Sequence, residues 1–207
     1  IWNMRQSEAR YRIMLNDADA AEAALRHCAE LGHSRIGFVT FGFGTYRKRN
    51  AIDFEISWNT RLHRLRDLVS GGMKHCALTV FPMIQAEPEE TLKHLTAYLS
   101  GPQRPTAIIC DSDFRGQAVY AAAARLGLSI PHDLSVMGLF DTPWSRELVP
   151  QLTTVNLGEK EAAALAAWLC LDEHAPARFA CSMEPTLVVR KSTASFPSLQ
   201  KIKAGRS

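Results

Sequence analysis

The stretch from residue 106 to residue 155 leaves a chain few ways to fold. It opens with a short apolar run, Ala107–Cys110, of the kind that lies buried in a sheet as a strand. Asp113 stands where a helix N-cap belongs, ahead of a helix predicted over residues 114–126 with Phe114, Ala118, Ala121 and Ala122 on its packing face. Gly127 suits a left-handed C-cap, and Pro131 stops the helix from resuming. A second apolar run, residues 134–139, reads as the next strand. Strand, crossover helix and strand form a βαβ unit, which makes the two strands parallel and the crossover right-handed. Ligands of such sheets bind at the C-terminal strand ends, so Asp111-Ser112-Asp113 and Phe140-Asp141-Thr142 are the loops to watch.

The same alternation runs through the rest of the chain. Asn16-Asp17-Ala18-Asp19 precedes an alanine-rich helix over residues 20–30, with Ala21, Ala24, Leu25 and Cys28 on one face and either Asp17 or Asp19 as its cap. Gly32 ends that helix, and a strand follows over residues 36–41. A long amphipathic helix is predicted over residues 52–69, with Arg61, Arg64 and Arg66 mainly off its apolar face. A strand over 76–81, a helix from Glu87 to about Leu99, a helix over 159–171 and a last strand over 187–190 complete the pattern. Alternating strands and helices imply an α/β fold with parallel sheet.

Composition removes other classes. With 207 residues, 46% hydrophobic and 22% charged, the chain is long enough for a real core. No apolar run approaches the ~18 residues a membrane helix needs. A net charge of +3 is too mild to argue for nucleic acid. Five cysteines without tight spacing read as reduced, mostly buried thiols of a cytoplasmic protein. Gly42-Phe43-Gly44 lacks the third glycine and the distant acid of a dinucleotide fingerprint. His27 and Cys28 are neighbours on a helix and point about 100° apart, so they form no dyad. No metal-ligand spacing, nucleophile elbow or phosphate loop is present. No catalytic residue, metal or cofactor is therefore expected; the chain reads as a binding module.

The words TAIICDSD, GLSIPHDLSVMGLFD and PQLTTV, with NDADAAEAALRHCAELGHSRIGFV before them and EPTLVVRKST after, resemble the effector-binding half of the lac-repressor (LacI/GalR) family of bacterial transcription regulators. The resemblance covers about residues 13–194. It implies a two-lobed, periplasmic-binding-protein-like type I fold, with parallel sheets flanked by helices. Residues 1–33 and 158–184 would form a partial N-terminal lobe, 34–156 and 186–194 the C-terminal lobe, and 195–207 a flexible tail. Ile1 would then lie inside a longer chain, whose helix-turn-helix domain and first lobe units precede it. The resemblance further implies a small effector in the interlobe cleft, a sugar, nucleoside-like or aromatic compound, and a homodimer acting on operator DNA. The alternative is a periplasmic solute-binding protein of a transporter, which shares the architecture.

Effector contacts are expected from Asp17, Arg49, Ser112, Phe140 and Asp141, with Phe41 and Phe81 adding aromatic groups at strand ends. Two of these depart from the family pattern: Ser112 replaces an asparagine, and Phe140 replaces the first aspartate of GFDD. Phe140 cannot accept hydrogen bonds from hydroxyls but can stack on a ring. The effector is accordingly expected to be poorer in hydroxyls than a free hexose.

Overall fold

The computed structural model describes residues 9–41, 52–83 and 88–196. Strands β2 (Arg35–Phe41), β3 (Ala77–Met83), β4 (Ala107–Cys110), β5 (Ser135–Leu139), β6 (Thr153–Asn156) and β8 (Thr186–Val188) build a six-stranded sheet in the order β3-β2-β4-β5-β6-β8. Every pairing is parallel except β6 with β8. A second sheet has two parallel strands, β1 (Tyr11–Leu15) and β7 (Phe179–Met183). β7 went unrecognised in the sequence, because FACSM between polar loops carries no run longer than three apolar residues.

Side chains alternate across the larger sheet with the period of two that strands impose. Ile36, Phe38, Ala107, Ile109, Met137, Leu139 and Val155 enter one core with helices α1 (Asp17–Glu30) and α2 (Ile52–Gly71). Val39, Ile108, Cys110 and Val136 enter the other, with α3 (Pro88–Ser100) and α4 (Asp113–Arg125). Helices therefore cover both faces, as a parallel sheet requires.

α1 buries Ala20, Ala21, Ala24, Leu25 and Cys28 on the larger sheet. The sequence grouping of residues 1–33 thus divides at Leu15: β1 pairs with β7, whereas α1 covers the six-stranded sheet. α6 (Glu159–Leu171) is the helix beside the two-stranded sheet, and of its expected inward residues only Leu169 is fully buried. Cys170 is exposed.

α4 is rotated from its expected phase. Gly116, Val119, Ala122 and Ala123 are buried, while Phe114 is 61% exposed and meets Trp144 of α5 (Trp144–Glu147) edge to face. The run of four alanines at 121–124 gives the helix little directional signal. The glycine at 138 settles the contact instead: a Cβ there would overlap Asp113 Oδ1 and come within 3.0 Å of its Cα. Only glycine lets α4 start this close to β5. Phe196, expected in the flexible tail, is held: it donates its N–H to the Leu31 carbonyl (2.7 Å) and its ring lies against His33.

Candidate functional site

The strand order places a crevice. From β2 the chain moves outward to β3, then returns to β4 on the other side of β2, so paired strands β2 and β4 are followed at their C-terminal ends by helices on opposite faces of the sheet, α2 and α4. Thr40 and Asp111 stand there, and Thr40 Oγ1 donates to Asp111 Oδ2 (2.8 Å). Arg115, one turn into α4, donates to the other Asp111 oxygen.

Arg61 draws the surrounding elements together. Predicted on the polar side of α2, it is only 5% exposed. Its Nε and Nη2 donate to Asp17 Oδ1 (2.8 and 2.5 Å), and its Nη1 donates to the Asp111 carbonyl (2.7 Å). Its guanidinium also lies 4.6 Å from the Phe140 ring centre. One planar cation therefore ties α1, the end of β4 and the end of β5 to α2, a task that suits arginine's rigid fork and flat face. No sequence signal separates Arg61 from Arg64 and Arg66, since all three share the stretch RLHRLRD. Asp17 does not cap α1. Asn16 does, with Oδ1 accepting the Asp19 N–H (3.2 Å), while Asp17 is buried against Arg61.

Phe140 has φ +97° and Asp141 φ +50°. A bulky residue at positive φ is strained by roughly 1–3 kcal/mol and persists only where its surroundings fix it. Here the Phe140 N–H donates to the Val155 carbonyl (2.7 Å), the ring packs on the core shared with α1 and α2, and Arg61 covers it. Asp141 is held by Arg190 and Arg146 (the latter at 3.2 Å) and accepts from Ser145 Oγ (3.0 Å). Burial alone would raise its pKa, but bonds from Arg190, Ser145 and Arg146 outweigh that and hold it below the usual carboxylate range.

Asp113, expected as a cap, is instead a buried bracket. Thr154 Oγ1 donates to Oδ1 (2.6 Å), and the Thr142 N–H and hydroxyl donate to Oδ2 (2.6 and 3.0 Å). It thereby ties the start of α4 to the loop after β5 and to strand β6. Burial pushes its carboxyl up despite these bonds. Ser112 holds the N-cap position with extended backbone and no side-chain capping bond.

Glu159, the first residue of α6, is a further group at the site. Burial raises its pKa; the charge of Arg61 lowers it, while Asp113 and Asp17 raise it further. Of the expected contacts, Asp17 and Phe140 meet through Arg61, Asp141 is next in the chain, and Ser112 follows Asp111. Phe81 stands apart: its ring pairs with Tyr98 of α3 (5.1 Å between centres) on the opposite face of the sheet. Phe41 ends β2. Arg49 lies outside the described residues. Among the described residues no group of three His, Cys, Asp or Glu side chains is placed to hold a metal ion. None of the described helices is long and apolar enough to cross a membrane.

Residues 25–193 match the family model of the periplasmic binding protein-like domain. The chain belongs to that family. Within it the chain is of the LacI-family regulator type. It is 29% identical over 203 residues to the HTH-type transcriptional repressor PurR of Edwardsiella ictaluri, covering 95% of this chain and 55% of the repressor. The chain thus spans about half the length of this relative. Among solved structures, a LacI family transcriptional regulator from Mycobacterium smegmatis is 25% identical with a TM-score of 0.69, over 93% of this chain and 69% of that one. A LacI family regulator from Arthrobacter sp. FB24, in complex with lactose, has a TM-score of 0.71 at 19% identity, over 93% of this chain and 70% of that one. That second likeness concerns the fold alone.

Proposed function

We propose that this chain is the ligand-sensing region of a cytoplasmic, homodimeric transcription regulator that binds a small effector beside Phe140 and has no turnover of its own. Effector binding would shift the balance between lobe arrangements, and so the spacing of helix-turn-helix heads on operator DNA. The observation that carries the reading is the convergence of Asp17, Arg61, Asp111 and Phe140 at the switch point of a sheet of this family. A repressor relative favours a regulator over a transporter's solute-binding protein.

The side chains at the crevice constrain the effector. Asp17, Asp111, Asp113 and Asp141 already accept bonds from within the chain. They leave less carboxylate for sugar hydroxyls than the family pattern offers. Arg61 occupies one face of Phe140, so a planar ligand would meet the ring's other face or its edge. Thermal-shift measurements with a hexose, a purine nucleoside and a simple aromatic acid test this. Stabilisation by a planar compound that Phe140→Ala abolishes is the expected result. Stabilisation by the hexose, unchanged in Phe140→Ala, would refute it.

A further inference from the structure

The polar end of the larger sheet, opposite the crevice, holds two histidines that share one task. His33, only 2% exposed, lies between the starts of β4 and β5. Its Nε2 faces the Ala194 carbonyl (3.1 Å) and Ser135 Oγ (3.0 Å), and its Nδ1 faces Thr106 Oγ1 (3.0 Å). A carbonyl only accepts, so Nε2 carries the proton and Nδ1 accepts from the Thr106 hydroxyl. His27, in the last turn of α1, meets Thr193 Oγ1 through Nε2 (3.0 Å). Both therefore grip residues 193 and 194. The same segment is sewn on by the Val136 N–H to the Ser192 carbonyl (2.8 Å), Ala194 N–H to Ser135 Oγ (3.1 Å) and Phe196 N–H to the Leu31 carbonyl.

We infer that His27 and His33 form an acid-sensitive clamp that holds segment 192–196 on the larger sheet while both rings are neutral. Adding a proton to His33 turns Nδ1 into a donor, so the Thr106 hydroxyl must turn round to accept from the ring and can donate only to the more distant Arg35 carbonyl (3.3 Å). The charge would be buried among hydroxyls and carbonyls. The titratable neighbours do little to offset it. Glu30 favours a charge on His27, His27 itself disfavours one on His33, and Cys76 Sγ donates to the His33 carbonyl. Burial is the leading cause that lowers both histidines below the ordinary value of 6.5.

The sign follows. Above pH 6.5 the rings are neutral whether the segment is docked or released, and the clamp is intact. Below it the released form takes up protons first, so docking weakens by about tenfold per pH unit for each histidine until the docked pKa is reached. Amide exchange in the 207-residue chain, expressed as protection relative to the free peptide rate, tests this. Protection at Ala194 and Phe196 should fall severalfold between pH 7.5 and 5.5, by at most about tenfold per histidine, while Ile109 and Met137 in the strands keep theirs. His33→Gln, which still donates to Ala194, should flatten much of that dependence. Should this variant not fold, the wild-type ring titrations decide: both values at or above 6.5 overturn the clamp. Equal loss at strand and segment amides, or no loss at all, overturns it as well.

Discussion

The two sheets differ in what covers them, and the difference separates what this sequence can hold alone from what it cannot. The six-stranded sheet has α1 and α2 on one face and α3 and α4 on the other, and Phe38, Ile108, Ile109 and Met137 inside it are fully buried. The two-stranded sheet has one covered face. Along β1 and β7, half-buried residues such as Ile13, Leu15, Phe179 and Met183 alternate with exposed ones, Met14 among them at 43%. Parallel strands are usually buried on both faces, and two strands alone are marginal. Stability should therefore be concentrated in the larger sheet, with β1, β7 and α6 opening first.

The largest effect should come from the centre of the covered sheet. Phe38→Ala removes a fully buried ring from β2 and should destabilise the chain by about 3–5 kcal/mol in urea unfolding. A cost near 1 kcal/mol would mean that the core around Phe38 is looser than its burial indicates.

Next in size is the ion pair at the crevice. Asp17→Ala leaves the Arg61 guanidinium buried without its carboxylate, at a cost of about 3 kcal/mol. Glu22→Ala breaks the pair with Arg64, which is 40% exposed, and should cost about 0–1 kcal/mol by the same measurement. Equal costs would show that Arg61 finds other partners readily, and the crevice would not be the rigid part of the molecule.

Much of this fold was legible in the sequence, and the parts that were not share a cause. Strands 107–110 and 135–139 announce themselves as short apolar runs, and Gly32 and Gly127 have the positive φ that their places after helices called for. The crevice loops followed from parallel strand geometry alone. What stayed hidden depends on contacts between distant segments. Asp113 reads as a cap because local pattern favours acids there, whereas its three donors come from residues 142 and 154. Arg61 looks like a surface arginine until Asp17 is brought to it across 44 residues. Phe81 lies at a strand end as expected, yet the alternation of β3 turns it towards Tyr98 and away from Phe140.

The uncovered sheet should answer to substitution very weakly. Leu171 at the end of α6 is 85% exposed, so Leu171→Ala and Met14→Ala should each change stability by less than about 0.5 kcal/mol. Costs of about 2 kcal/mol or more, growing with protein concentration, would show that a second copy covers this face in solution.

A small, pH-dependent effect tests how the two regions meet. Glu159 begins α6, beside the smaller sheet, yet the charges that act on it belong to α1, α2 and α4: Asp17, Arg61 and Asp113. A carboxylate at a helix N-terminus is ordinarily favoured. Here burial and the two aspartates outweigh both that and Arg61, and the carboxyl sits above its ordinary 4.5. Below pH 4.5 the group is protonated folded or unfolded and contributes nothing. As pH rises from 4.5 through the folded value, the unfolded chain ionises first, and the folded state loses stability that it does not regain at higher pH. Glu159→Gln carries no charge and escapes that loss. It should match the wild type at pH 4 and be slightly more stable at pH 7, by less than about 1 kcal/mol once solvent screening of this part-exposed group is allowed for. Paired thermal melts across that range measure the difference. A variant less stable than the wild type at pH 7 would mean that Glu159 and Arg61 attract across the boundary strongly enough to hold the two regions together.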